Sequence, residues 1–252
     1  MAWDPQQYEK FKREREAPFA DALGLVARRE GLRVIDLGCG TGELTRRLAD
    51  ALPSSDVVGL DSSAEMLARA QAHARPGLRF VERAIEQLDG EWDLIFSHAA
   101  LHWVEDHARL IPRLMAHLAP GGQLVVQMPS NHHHPSHGEI RAAASEPRFR
   151  AALAEWTREA PVQAIDFYAE TLHAAGGRDL TVFEKVYPHV LPDSDAIVEW
   201  QRGTALLPWL ERLPEELHED FLAAVRERLR LRFPSKPVFF GFRRILFAAF
   251  RA

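Results

Sequence analysis

The sequence of 252 residues has few of the features that mark extracellular, membrane-embedded or nucleic-acid-binding proteins. It contains one cysteine, Cys39, so no disulfide can form within the chain. No apolar run approaches the roughly 18 residues that a membrane span requires, and the first ten residues are too polar for a signal peptide. The net charge is −5, without long basic runs, which argues against a nucleic-acid backbone as a partner. We therefore expect a cytoplasmic protein that binds neither membrane nor nucleic acid.

The apolar content is sufficient for a large α/β domain. Hydrophobic residues make up 46% of the chain and charged residues 27%, which are ordinary proportions for a globular protein. The length suits one domain, which we expect residues 1–252 to form. Residues 1–17 are predicted either to pack on the core or to form a lid over the site. Residues 193–234 are predicted to be a helical insertion that covers the substrate.

The most informative stretch is Val34–Gly42, a short apolar strand that ends in a turn with three glycines. These are Gly38, Gly40 and Gly42. Glycine is needed where the backbone takes a positive φ or lies against a ligand with no Cβ in between. The helix predicted at Glu43–Leu52 adds free N–H groups at its start. The stretch therefore predicts a ligand site where the first strand ends.

The next predicted strand narrows the ligand. Asp56–Leu60 is apolar and is followed by Asp61, where an acid can bond the hydroxyls of a ribose. A dinucleotide fold needs a third glycine where this chain has Glu43, and a phosphate loop needs a lysine that the turn lacks. A pyrophosphate would also be repelled by Asp36 and Glu43, whereas a cationic ligand would not. The sequence thus predicts a nucleoside cofactor that carries positive charge.

The carboxyl end of the predicted fourth strand, Trp92–Ser97, is the expected place for the substrate. Ligands of open parallel sheets bind at that edge. An indole N–H only donates hydrogen bonds and a neutral imidazole can also donate. His102 and Trp103 could therefore hold an oxygen acceptor without removing a proton from it. The alternative is that Trp103 fills the core while His102 is solvated.

Four histidines within residues 132–137 raise the question of a metal site. Adjacent side chains diverge, and no carboxylate or cysteine has matching spacing for a shared ion. We therefore predict an exposed loop near the mouth of the active site and no metal.

The glycine turn and its acids resemble motif I of the class I S-adenosylmethionine-dependent methyltransferases. The resemblance implies a doubly wound, mostly parallel, seven-stranded Rossmann-like sheet, with S-adenosyl-L-methionine as cofactor. In that family the first-strand acid lies near the methionine moiety and the second-strand acid takes the ribose. The acid that usually bonds adenine is replaced by Ala84, which leaves Ile85 or Glu86 for that contact. The cofactor contacts implied are Asp36, Gly38, Gly40, Gly42, Asp61, Ser62, Met66, Ile85 and His98.

Further elements resemble the trans-aconitate methyltransferases over nearly the whole chain. They are Trp3-Asp4-Pro5 with Tyr8, Leu94-Ile95-Phe96, Gln127-Met128-Pro129 with Asn131, and Pro208-Trp209-Leu210. The resemblance implies esterification of one carboxylate of a small polycarboxylic acid. A carboxylate is already ionised at pH 7, so in-line transfer needs no general base. The substrate contacts expected are Tyr8, Arg15, Trp103, Trp209 and Arg244, with His102 and Trp103 as the catalytic pair.

One residue departs from this family pattern, and two other functions stay open. Leu207 stands where the family has an arginine before Pro-Trp-Leu, which suggests a different or less charged acid. The first alternative is methylation of an O or N atom of another metabolite, with His98, His102 or His107 as base. The second is a regulator that binds S-adenosylmethionine without transferring its methyl group. The sequence indicates no oligomeric state.

Overall fold

The computed structural model describes residues 13–252, with side chains from residue 16 onward. Tyr8, most of the predicted lid and the side chain of Arg15 therefore lie outside the described residues. The chain divides into two compact units. The sheet unit comprises Ala17–Pro129, Pro161–Lys185 and Arg244–Ala252. The helical unit comprises Ser130–Ala160 and Val186–Arg243, together with the described residues 13–16.

Seven strands form one sheet in the order β3-β2-β1-β4-β5-β7-β6. Their bounds are β1 (Arg33–Leu37), β2 (Asp56–Asp61), β3 (Leu78–Glu82), β4 (Trp92–His98), β5 (Leu118–Pro129), β6 (Gly177–Leu191) and β7 (Val238–Arg251). Strands β1 to β5 pair with one another in parallel, and β7 runs antiparallel to β5. The strand order reverses beside β1, which places a ligand crevice at the carboxyl ends of β1 and β4. This confirms the predicted mostly parallel seven-stranded sheet.

Ten α-helices are present in the described part of the chain. Their bounds are α1 (Arg13–Gly24), α2 (Glu43–Ala51), α3 (Ala64–Ala70), α4 (His107–Ala116), α5 (Pro135–Ala144), α6 (Pro147–Ala152), α7 (Ile165–Ala174), α8 (Asp195–Arg202), α9 (Leu207–Leu210) and α10 (His218–Arg232). None of these helices is both long and apolar enough to cross a bilayer.

In the sheet unit, alternate strand residues bury opposite faces of the sheet, because successive side chains of a strand point to opposite sides. Val34 packs into a cluster with Phe19 of α1 and Leu48 of α2. Its neighbour Ile35 packs into a second cluster with residues of α4 and α7. Both faces of the sheet are thus covered by helices, as a doubly wound fold requires.

The helical unit has its own aromatic core. The rings of Phe149 and Phe221 meet edge to face with their centroids 5.2 Å apart. The predicted insertion at residues 193–234 contains α8, α9 and α10. Its role as a substrate cover stays a prediction.

Strand β5 begins before the Pro120-Gly121-Gly122 sequence, whose composition is typical of a turn. It starts at Leu118, which pairs with Trp92, and the register shifts before Gln123 pairs with Leu94. A positive φ of 73° at Gly121 allows this irregularity. The Pro-Gly-Gly sequence is therefore a bulge within the strand rather than a break before it.

Candidate active site

The turn after β1 has the backbone that its glycines predicted. Gly38 has a φ of +74°, and a Cβ on it would lie 2.2 Å from the Cβ of Ala100. Gly40 has a φ of +55°, and a Cβ built on it would have no heavy atom within 4 Å. Gly38 is therefore required for close packing of the turn against the segment after β4. Gly40 instead leaves an open face on which a ligand can lie.

Asp61 and the end of β2 brace this turn. The N–H of Gly40 donates to Asp61 Oδ2 at 2.9 Å, and the N–H of Ser63 donates to Asp61 Oδ1 at 2.9 Å. Each carboxylate oxygen can accept more than one hydrogen bond, so this bracing leaves Asp61 able to accept from a ribose. Ser62 is exposed and Met66 half-buried just beyond Asp61, so the structure brings these three residues to the edge of the turn.

Asp36 is a buried acid, with 4% of its surface exposed. Burial raises the pKa of Asp36 to about 7; a hydrogen bond from Thr45 opposes this shift and the nearby charge of Asp61 adds to it. The hydroxyl of Thr45 donates to Asp36 Oδ2 at 2.6 Å. The sequence reasoning missed Thr45. Its position in the first turn of the helix after the glycines is the signal that could have identified it.

Cys39 is a packing residue. It is buried, and its pKa is raised by burial and by the charges of Asp36 and Asp61. The thiol therefore stays protonated and is a poor nucleophile.

The predicted adenine-contacting segment lies next to the same turn. Residues Ile85–Gln87 form a single 3₁₀ turn. Ile85 is half-buried, and its Cδ1 atom lies 3.9 Å from the place that a Cβ on Gly38 would take. Glu86 is exposed. Of the two candidates, Ile85 is thus the one that the structure brings to the glycine turn.

His98, at the end of β4, belongs to a buried polar network. In the amide orientation that satisfies all partners, Gln127 Nε2 donates to His98 Nε2 at 3.0 Å. Gln127 Oε1 then accepts from Arg244 Nη1 at 3.1 Å. A ring nitrogen that accepts a hydrogen bond is unprotonated, so this ring is neutral. Arg244 is only 4% exposed. The network therefore joins two predicted site residues through Gln127, which the sequence reasoning had used only as a family marker.

His102 and Trp103 lie on a 3₁₀ turn, Leu101–Trp103, directly after β4. Their ring centroids are 4.8 Å apart. The Trp103 side chain is 40% exposed, so the alternative in which it fills the core is wrong. His102 is half-buried. An exposed tryptophan at the carboxyl edge of a parallel sheet is available to a ligand.

His107, one of the histidines considered as a base, has both ring nitrogens engaged. It is 1% exposed, with Nδ1 2.6 Å from the hydroxyl of Tyr168 and Nε2 3.0 Å from the carbonyl oxygen of Leu101. A general base must reach the proton that it removes. The structure therefore excludes His107 from that role.

In the helical unit, Trp209 is a core residue. It is 3% exposed, and its ring meets Trp156 edge to face with the centroids 4.9 Å apart. Leu207 begins α9 immediately before Pro208. A substrate contact by Trp209 stays a prediction.

The prediction of an exposed histidine loop is wrong for three of the four histidines, His132, His134 and His137, which are half-buried. His134 precedes α5, where its Nδ1 accepts from the N–H of Ser136 at 3.2 Å, and its ring stacks on Phe233. Burial and nearby cationic groups lower the pKa of His137 to about 3. Only His133 is exposed. The segment departs from a loop because it begins a helix whose first turn is packed.

Comparisons with known proteins agree with this geometry. Residues 34–122 match the family model described as a methyltransferase domain. The trans-aconitate 2-methyltransferase of Deinococcus radiodurans is 46% identical over 100% of this chain and 99% of its own length. That of Variovorax paradoxus is 40% identical over 94% of this chain and 92% of its own.

Solved structures share the fold. The YcgJ protein of Bacillus subtilis matches with a TM-score of 0.62 and 17% identity, over 93% of this chain and 98% of its own. Phosphoethanolamine N-methyltransferase 2 of Haemonchus contortus, in complex with S-adenosyl-L-methionine, has a TM-score of 0.56 and 18% identity. This match covers 93% of the chain and 52% of that protein.

Because the chain is 46% identical over its whole length to the trans-aconitate 2-methyltransferase of Deinococcus radiodurans, it belongs to the trans-aconitate 2-methyltransferase family.

Proposed function

We propose that the protein transfers a methyl group from S-adenosyl-L-methionine to one carboxylate of trans-aconitate and forms a monomethyl ester. The observation that carries this proposal is the 46% identity, over the whole chain, to a trans-aconitate 2-methyltransferase. The departure at Leu207 makes other small acids, with fewer carboxylates, the first competitors to test.

The glycine turn of the sheet unit fits the cofactor. Asp36 is a buried acid whose ionised form is costly alone and is favoured by a neighbouring cation. Gly40 presents an open face, and the carboxylate of Asp61 lies against it. When bound, S-adenosylmethionine supplies a methyl group on a positively charged sulfur. We therefore assign Asp36 to the charged methionine end and Asp61 to the ribose. Gly38, Gly42, Ser62, Met66, Ile85 and His98 complete the proposed set.

No residue is needed to remove a proton from the acid. A carboxylate with a reference pKa near 4 is ionised at neutral pH. The chain must instead align the attacking oxygen with the methyl group. Good alignment lowers the free-energy barrier to transfer by up to about 7–11 kcal/mol. We assign that task to His102 and Trp103, because both can donate to an oxygen and Trp103 is exposed at the sheet edge.

Arg244 is the proposed cationic donor of the sheet unit. It is buried at the start of the β7 segment that pairs with β5, where Arg244 lies opposite Pro129. A guanidinium carries five N–H donors in a planar fork that matches a carboxylate. The hydrogen bond to Gln127 orients this fork. The remaining carboxylates of a polycarboxylic acid are the groups that it would neutralise.

The test is a methyl-transfer assay with labelled S-adenosylmethionine. The substrates are trans-aconitate, its cis isomer, citrate, and dicarboxylic and monocarboxylic acids. We expect the highest kcat/KM with trans-aconitate and a product whose label is released by mild base, as an ester requires. Transfer only to amines or phenols, or binding of the cofactor without transfer to any compound, would refute the proposal.

A pair of arginine variants tests the substrate contact within the same assay. Arg244→Gln should raise the KM for the acid by at least about ten-fold, as expected for the loss of a charge-assisted hydrogen bond. Arg109→Gln, at a side chain that is 90% exposed on α4, is the matched control and should leave the KM unchanged. Equal effects of the two variants would remove Arg244 from the site.

A further inference from the structure

A chain of buried hydrogen bonds ends on the turn that carries His102 and Trp103. The N–H of Gln163 lies 3.0 Å from Tyr168 Oη, and Tyr168 Oη lies 2.6 Å from His107 Nδ1. His107 Nε2 lies 3.0 Å from the carbonyl oxygen of Leu101. Tyr168 is fully buried and His107 is 1% exposed. The chain therefore crosses the interior of the sheet unit from α7 to the 3₁₀ turn.

The two ends of this chain, together with the neutral state of the His107 ring, fix the direction of every hydrogen bond. A backbone N–H can only donate and a carbonyl can only accept. The N–H of Gln163 therefore donates to Tyr168, the Tyr168 hydroxyl donates to His107 Nδ1, and His107 Nε2–H donates to Leu101. Burial lowers the pKa of His107, so the imidazole ring is neutral and its Nδ1 accepts, and burial raises the pKa of Tyr168, so the hydroxyl keeps the proton that it donates. His107 is thus held as one neutral tautomer.

The acceptor at the end of the chain is part of the turn itself. The carbonyl oxygen of Leu101 also accepts from the N–H of Val104 at 3.0 Å, and the N–H of Trp103 donates to Ala100 at 3.0 Å. His107 therefore adds a second donor to the carbonyl that closes the turn. Since His107 is the first residue of α4, this bond ties the turn to the start of a helix.

Tyr168 anchors the other end. Its ring stacks on Phe247 of β7, with the centroids 5.2 Å apart and the planes 18° from parallel. An apolar pair of similar shape could fill the same space at little cost in stability, because replacing both partners of a buried hydrogen bond is often nearly neutral. Stability alone therefore does not account for the buried phenol and imidazole. What the phenol and the imidazole provide, and an apolar pair would not, is a fixed orientation of the Leu101 carbonyl.

We propose that His107 and Tyr168 are positioning residues that hold the Leu101–Trp103 turn so that His102 and Trp103 meet the carboxylate of the substrate. This inference rests on the proposed function. Neither residue touches substrate or cofactor in this scheme, and each acts through the backbone of the turn.

The experiment compares Tyr168→Phe, His107→Met and the double variant. Each single variant should lower kcat/KM for trans-aconitate by at least about ten-fold, because small misplacements of orienting groups are costly. The Kd for S-adenosylhomocysteine, measured by calorimetry, should stay unchanged. The double variant should regain most of the stability lost in the single variants, since neither the phenol hydroxyl nor an imidazole nitrogen is left buried without its partner, while its kcat/KM stays low. His107→Gln, whose side-chain amide can still donate to Leu101, should retain more activity than His107→Met.

Gln123→Met is the matched control. Gln123 is a buried residue of the same unit that makes two hydrogen bonds to backbone atoms, those of Leu25 and Ala27. This variant should lose stability without losing kcat/KM. Recovery of kcat/KM in the double variant, or an equal kinetic loss in the control, would overturn the positioning role.

A second readout does not depend on methyl transfer. Hydrogen exchange of the Trp103 and Val104 amides should become at least about ten-fold faster in Tyr168→Phe than in Gln123→Met, because local opening governs exchange. If the wild-type protein methylates no acid, the proposed function fails while this measurement still tests the hold on the turn. Unchanged exchange in Tyr168→Phe would refute the positioning role by itself.

Discussion

At the scale of single residues, Asp36 makes the affinity for a cationic ligand depend on pH. Its pKa of about 7 means that the ligand-free protein holds this carboxyl protonated in mild acid. A cationic ligand beside it favours the ionised form, so binding must release the proton when the pH is below 7. We expect the affinity for S-adenosylmethionine, measured by calorimetry, to rise between pH 5.5 and 7.5 and then to level off. An affinity that falls as the pH rises would contradict the assignment of Asp36.

Thr45→Val provides the control for that titration. It removes the hydroxyl hydrogen bond to Asp36 at little change in shape. Because that bond stabilises the ionised acid, its loss should move the plateau of affinity to a higher pH. Asp36→Asn should bind more weakly at pH 8 and show no such pH dependence.

The same residue should lower the stability of the ligand-free protein. The folded-state pKa of Asp36 lies above its unfolded value of 3.8, so the folded protein binds the extra proton between these two values. The contribution of Asp36 to the free energy of unfolding is therefore fully present below pH 4 and is lost as the pH rises through 7. We expect Asp36→Asn to unfold at a higher temperature than wild type at pH 8, with the difference vanishing near pH 4. A less stable Asp36→Asn protein at pH 8 would contradict this account.

At the scale of elements, a comparison of two glycines separates the effect of backbone strain on stability from the effect of ligand contact on binding. Gly40 and Gly121 both have positive φ, and a Cβ on either would meet no heavy atom within 4 Å. Gly40→Ala and Gly121→Ala should therefore each cost about 1–2 kcal/mol of stability in denaturant unfolding. Only Gly40→Ala should weaken the binding of S-adenosylhomocysteine, since its methyl group would occupy the open face of the turn. Equal binding by the two variants would place the ligand elsewhere.

At the scale of the whole molecule, the described chain is two compact units, and the proposed cofactor residues all belong to one of them. Adding S-adenosylhomocysteine alone should slow amide exchange in residues 36–45, 59–66 and 97–103 of the sheet unit. These segments contain the glycine turn, the end of β2 and the end of β4, and a bound ligand suppresses their local opening. Protection confined to residues 132–144 of the helical unit would be incompatible with the proposed site.

The glycine turn and the two acids beside it were predictable because their signals are local. The glycines, Asp36 and Asp61 lie at the junctions of successive strands and helices, where spacing along the chain fixes spacing in the fold. The register shift in β5 and the packed first turn of α5 were not predictable from the sequence. Strand pairing and burial at these two places outweigh the local Pro, Gly and His composition.

The sequence by itself determined the sheet, the glycine turn and the family, since hydrophobic periodicity and turn chemistry act between residues close in the chain. Only the tertiary structure decided how the polar groups pair. Gln127 joined His98 to Arg244, and His107 joined Tyr168. The last of these partners are 61 residues apart. Each buried polar group pairs with the donor or acceptor that the packed core brings within hydrogen-bond distance. Which group that is depends on the whole fold rather than on any one segment.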